Sequence, residues 1–66
     1  MTVFVNSKEH TIPPDVTVAV LLEALDMAQK RVAVEVNTDL VTKQEWPRHE
    51  LSAGDRVEVV GFVGGG

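Results

Sequence analysis

The sequence predicts an α+β fold, a mixed sheet of four to five strands with one main helix packed on one face. Short runs in which apolar and other residues alternate with a period of two predict the strands, and the stretch TVAVLLEALDMAQK, with helical spacing, predicts the helix. Turn-forming residues separate these runs in the order β-β-α-β-β-β. The helix carries a single apolar stripe, so it covers one side of the sheet and leaves the other open. Sixty-six residues make one domain, which at this size hides only about 60% of the surface its unfolded chain exposes. There is no Cys, so neither a disulfide nor a thiolate metal site reinforces the core.

The first strand, Met1 to Val5, sets Met1, Val3 and Val5 on one side and Thr2 and Phe4 on the other. Asn6 and Ser7 supply turn chemistry, and Lys8 to Ile12 returns antiparallel until Pro13 and Pro14, which cannot donate to a ladder. Val18, Leu21, Leu22 and Leu25 then form the helical stripe, with Thr17 as N-cap. Asp15 ahead of the helix and Lys30 and Arg31 at its far end suit the helix dipole, for a helix that runs the length of the stretch. Val20 and Met27 project roughly opposite the stripe as exposed apolar residues.

Val32, Val34 and Val36 alternate with Ala33 and Glu35 in a half-buried strand that ends at the turn Asn37-Thr38-Asp39. Leu40 and Val41 form a short strand, TKQEW a single helical turn halted by Pro47, and SAGDR a Gly-Asp turn before the last strand, Arg56 to Val60. The lone Trp, Trp46, is expected as a partly buried cap at the core edge. In the last strand Val57 and Val59 face the core, while Glu58, Val60 and Phe62 share the other side. Phe4, out of phase with Val3 and Val5, joins Val60 and Phe62 on the open face.

The net charge of −4 opposes binding to nucleic acid or an anionic membrane surface. No apolar run nears the roughly 20 residues of a membrane span, and MTVFVNSKEH lacks the pattern of a signal peptide, so a cytoplasmic location is expected. His10 and His49 are far apart, and Asp39, Glu45 and Glu50 form no ligand cluster, so no metal site is expected. Ser7 and Ser52 lie outside any GxSxG motif, and Glu35 and Glu58 read as solvated strand positions. The sequence therefore points away from an enzyme and leaves its end, GFVGGG, to account for.

VFVN at the start, TVAVLLEAL, VAVEVN, VTKQEW and above all GDRVEVVGFVGGG resemble, over the whole chain, the β-grasp or ubiquitin-like fold of the ThiS sulfur carrier proteins. The third glycine, Gly64, departs from the usual terminal pair. The resemblance implies a folded domain over 1–62 and a flexible C-terminal glycine tail over 63–66. It further implies that the carboxylate of Gly66 is adenylated by a ThiF-type adenylating enzyme, and that a sulfurtransferase system converts the adenylate to a thiocarboxylate. The acceptor implied is a ThiG-type thiazole synthase, which builds the thiazole ring of thiamine.

Residue chemistry agrees with that role. A carboxylate is a poor electrophile until a mixed anhydride with AMP removes its charge and supplies a leaving group. GFVGGG lacks the Lys and Ser or Thr of a phosphate-binding loop, so the chain itself binds no cofactor and ATP belongs to the activating partner. Bare glycine backbone at Gly64, Gly65 and Gly66 threads where a Cβ would not, and Gly61 to Gly66 extended reach roughly 20 Å. Fixing each glycine costs about 1 to 2 kcal/mol of backbone entropy, so a second attachment on the body is expected, with Phe4, Val60 and Phe62 as the docking residues. Two alternatives stay open: a related carrier for molybdopterin, tRNA thiolation or cysteine synthesis, and a ubiquitin-like docking module without sulfur transfer.

Overall fold

The computed structural model describes residues 1–28 and 31–61. The elements follow the expected order: β1 (Thr2–Val5), β2 (Lys8–Thr11), α1 (Val18–Ala24), β3 (Val32–Val36), β4 (Asp39–Val41) and β5 (Arg56–Gly61). They form a five-stranded sheet in the order β2-β1-β5-β3-β4. β1 runs antiparallel to β2 and parallel to β5, whereas β3 runs antiparallel to both β4 and β5, so the sheet is mixed and the last strand in sequence is central in space.

One face of the sheet carries the core. Val3, Val5, Val34, Val36, Val41, Val57 and Val59 point into it, and α1 covers them with Val18, Leu21 and Leu22. Each fully buried Leu or Val contributes roughly 1.5 to 3 kcal/mol relative to exposure, which is how so short a helix holds its place. Thr17 caps α1 as expected, its Oγ1 accepting from the Val20 N–H at 3.3 Å. The earlier N–H groups are met from elsewhere, Val18 by the His49 carbonyl at 2.9 Å and Ala19 by the Trp46 carbonyl at 3.1 Å. The 42–49 segment therefore closes the N-terminal end of the helix.

At its other end the helix is shorter than its periodicity predicts. Asp26 takes a left-handed φ of 60°, its N–H donates to the Glu23 carbonyl at 3.1 Å, and the Met27 N–H reaches back to the Leu22 carbonyl at 2.7 Å. This pair of backward bonds is a Schellman ending, with Asp where glycine is usual. Two expectations are corrected by it. Arg31 lies beyond the helix and cannot serve its dipole, while Lys30 falls outside the described residues. Met27, expected exposed, folds back half-buried against the core, whereas Val20 is exposed as expected.

Trp46 is a full core residue rather than an edge cap, 6% exposed, with its indole Nε1–H donating to the Val41 carbonyl at 3.0 Å. Pro47 does not halt the turn that holds it: the Arg48 and His49 N–H groups both bond the Glu45 carbonyl at 2.9 Å, so the turning continues through His49. Gly54, at φ 85°, opens the tight turn into β5, where any other residue would be strained.

Candidate functional site

The chemistry expected of this chain sits beyond the end of β5, and β5 is positioned from both sides. β3 accompanies it for its whole length, pairing Val36 with Val57 at one end and Val32 with Gly61 at the other. β1 accompanies only its start: Phe4 pairs with Arg56 and Val5 with Val57, and there β1 turns away into β2. Glu58 through Gly61 would have an empty side where β1 should be.

Asn6 fills that side. Its main-chain N–H makes the last backbone bond of the β1–β5 ladder, to the Val57 carbonyl at 2.8 Å. Its side-chain amide then continues the pattern: Oδ1 accepts from the Val59 N–H at 2.8 Å and Nδ2 donates to the Val59 carbonyl at 3.2 Å. Asn6 can do this because it sits in the left-handed region, at φ 49°, on a two-residue turn with Ser7 at φ 70°. Asn is among the few residues that tolerate that conformation.

The same device holds the head of β5. Asn37, at φ 52°, donates its main-chain N–H to the Arg56 carbonyl at 2.8 Å and accepts the Arg56 N–H on Oδ1 at 2.9 Å. Its Nδ2 donates to Asp55 Oδ1 at 2.9 Å, and the other Asp55 oxygen accepts the Ser52 N–H at 2.7 Å. Neither asparagine was singled out as more than a turn former by sequence reasoning. A signal exists: the triplets Val5-Asn6-Ser7 and Val36-Asn37-Thr38 repeat at the ends of the two strands that flank β5.

The expected docking residues are separated along the open face. Val60 is 60% exposed there. Phe4 is half-buried, and the Arg56 guanidinium lies 5.2 Å from its ring centroid, a cation–π contact that covers one side of the ring. Because Phe4 pairs with Arg56, Val60 stands on the order of 13 Å further along β5. Phe62, Gly64, Gly65 and Gly66 lie outside the described residues. Leu40, 64% exposed, joins the open face through its register partner Glu35, which in turn opposes Glu58 on β5. Glu35 and Glu58 are exposed, so between Phe4 and Val60 this surface is acidic.

Elsewhere, among the described residues, no three of His, Asp and Glu come together as metal ligands, and no helix is long and apolar enough to cross a membrane. A shallow hollow beside the 42–49 turn is lined by Glu45, Arg48 and His49. Glu45 belongs to the turn itself: its Oε1 accepts from the Thr42 N–H at 3.0 Å and from the Thr42 hydroxyl at 2.8 Å. Those bonds hold its carboxyl below the usual range, with the nearby His49 and Arg48 adding to the effect.

Comparison with known proteins places these features in a family. The model of the ThiS family matches residues 2–66. A solved thiamine biosynthesis protein, ThiS, from Geobacter metallireducens superposes with a TM-score of 0.86 at 35% identity, covering 100% of both chains. The sulfur carrier protein ThiS of Escherichia coli is 29% identical over 66 residues, 100% of each chain. A thiazole synthase of Paramagnetospirillum magneticum is 35% identical over all 66 residues, and the chain spans 20% of the length of that relative. The end-to-end family match, together with the shared sheet and helix, establishes that this chain belongs to the ThiS family.

Proposed function

We propose that the chain is a sulfur carrier of thiamine biosynthesis and that the carboxylate of Gly66 is its reacting group. A carboxylate oxygen attacks the α-phosphorus of ATP on a ThiF-type adenylating enzyme and pyrophosphate leaves. The outer sulfur of a sulfurtransferase persulfide then attacks the acyl carbon and AMP leaves, and a thiol cleaves the S–S bond of the resulting acyl disulfide to release a thiocarboxylate, which delivers its sulfur to a ThiG-type thiazole synthase. The chain is the substrate of these enzymes, and ATP is bound by the activating partner. The reaction belongs in the cytoplasm, the compartment that supplies ATP to the first step.

The observation that carries this reading is the whole-length likeness to two ThiS proteins, one matched in sequence and one in structure, in a chain whose last residues are GFVGGG. The thiazole synthase likeness supports the acceptor, since a fifth of that relative resembles this entire chain. For the second attachment, Val60 is exposed on the open face and Phe4 is partly so. These two, with Phe62, are proposed to meet the adenylating enzyme while Gly64, Gly65 and Gly66 enter it.

Intact mass tests the reading. After incubation with ATP, a ThiF-type enzyme and a sulfur source, the chain exchanges one terminal oxygen for sulfur. Deleting Gly65 and Gly66 abolishes the exchange and leaves thermal unfolding unchanged, because a glycine has no side chain to bury in the core. Phe62→Asp weakens enzyme binding more than it lowers stability. An unchanged mass for the full chain would remove the carrier reading in favour of a docking module.

A further inference from the structure

We infer that Asn6 is a positioning residue for sulfur loading: its side chain fixes the direction in which the end of β5 delivers the residues that follow. The inference rests on the carrier reading above. It starts from the one-sided pairing of β5, in which Val60 and Gly61 stand opposite Ala33 and Val32 of β3 after β1 has already turned away. Val59 presents both its N–H and its carbonyl to that vacated side, and both are taken by the amide of Asn6, a residue 53 positions away in sequence.

A side-chain amide is a peptide group in miniature, one acceptor and two donors, so it can stand in for the next step of a parallel ladder. Removing it leaves the two Val59 groups to water, and the strand end opens locally. An opened end samples many directions, of which the enzyme accepts few. The apparent affinity of the adenylating enzyme then falls by the fraction of molecules in the accepted arrangement, while a molecule already seated reacts as before. The signature is a raised KM with kcat unchanged.

Asn37 supplies the control. Asn6→Gly and Asn37→Gly each keep a left-handed turn residue, since glycine adopts positive φ freely, and each removes the side-chain bonds to one residue of β5. Only the first acts at the end that leads into 62–66. With a ThiF-type enzyme and ATP, followed by pyrophosphate release, Asn6→Gly is expected to raise KM about tenfold, the equivalent of one to two ordinary hydrogen bonds, with kcat retained. Asn37→Gly keeps the wild-type KM. Amide exchange gives a reading without the enzyme: the rate at Val59 relative to Val57 rises about tenfold in Asn6→Gly and stays at its wild-type value in Asn37→Gly, a ratio from which global destabilisation cancels.

Should Asn6→Gly fail to fold, Asn6→Asp keeps an acceptor for the Val59 N–H but sets a carboxylate oxygen against the Val59 carbonyl where the amide donated, and is expected to raise both KM and the relative Val59 exchange rate above wild type. Equal KM values for the two glycine variants, or a fall in kcat with KM unchanged, would overturn the positioning role while leaving the carrier reading intact. A wild-type chain that the enzyme does not adenylate would overturn the carrier reading, and the role of Asn6 in loading with it.

Discussion

The two hairpin turns make a natural comparison, because they share their chemistry and differ in what they secure. Asn6 and Ser7 have φ of 49° and 70°, Asn37 and Thr38 of 52° and 75°, and both asparagines place their amides on the backbone of β5. At the head of the strand the hold is shared. Both asparagines keep a main-chain bond to β5, Asn37 to Arg56 and Asn6 to Val57, and at the head Asp55 also ties Asn37 and Ser52 into the same corner. At the other end, among the described residues, Asn6 alone bonds the Val59 backbone from the side that β1 has left, with both of its side-chain polar atoms. One turn chemistry thus serves a corner braced by Asp55 at the head of β5 and a hold by a single side chain at its other end.

The largest effects come from alanine. Asn6→Ala or Asn37→Ala discards the side-chain bonds and leaves in the left-handed region a residue without the short polar side chain that lets Asn tolerate it, for a loss of about 2 to 4 kcal/mol in urea unfolding. Glycine at the same positions relieves the strain and recovers about 1 to 2 kcal/mol of that loss. The matched turns predict similar recovery at the two sites. If alanine and glycine proved equally stable at one site only, the turns would not be equivalent and the comparison would fail at its base.

A smaller effect separates the braced end from the unbraced one. Asp55→Ala combined with Asn37→Gly should show a coupling of about 1 kcal/mol in a double-mutant cycle, because the two side chains bond directly at 2.9 Å. Asp55→Ala combined with Asn6→Gly should add to within about 0.5 kcal/mol, because Asn6 bonds neither Asp55 nor Asn37. Strong coupling in the second pair would mean that β5 transmits strain along its length, and its two ends could then no longer be treated apart.

Local pattern carried most of the fold in the sequence. Alternation at Val3 and Val5, at Val32 to Val36 and at Val57 and Val59 marked strands because the buried side of a sheet repeats every second residue. The stripe from Val18 to Leu22 marked the helix for the analogous reason. Its end was not legible, since Asp26 is not a residue whose presence announces a left-handed stop. Trp46 was placed at the edge because the closing of the 42–49 segment over α1 is a tertiary event. Of the candidate site, the exposure of Val60 was legible and the Arg56 cover on Phe4 was not, because register decides which side chain opposes which. The hold of Asn6 on Val59 was hidden behind a sufficient local explanation: an asparagine before a serine between two strands already accounts for itself as a turn.

The smallest effect comes from a third turn, locked by a carboxylate where the hairpins use amides. Glu45 accepts two bonds from Thr42, and those bonds lower its pKa from 4.5. A carboxyl whose folded pKa is depressed contributes stability that is fully present above its unfolded value and is lost as pH falls through the folded value. Glu45 is exposed, so solvent screens the contribution and the effect stays below that of either asparagine. The stability difference between wild type and Glu45→Gln, followed by urea unfolding, should be constant above the ordinary Glu pKa and shrink as the pH falls through the lowered folded value. The costs of Asn6→Gly and Asn37→Gly should stay flat over the same interval, because an amide does not titrate. A flat profile for Glu45→Gln would mean that the Thr42 bonds do not favour the charged carboxylate, and that the third turn is held in the same way as the other two.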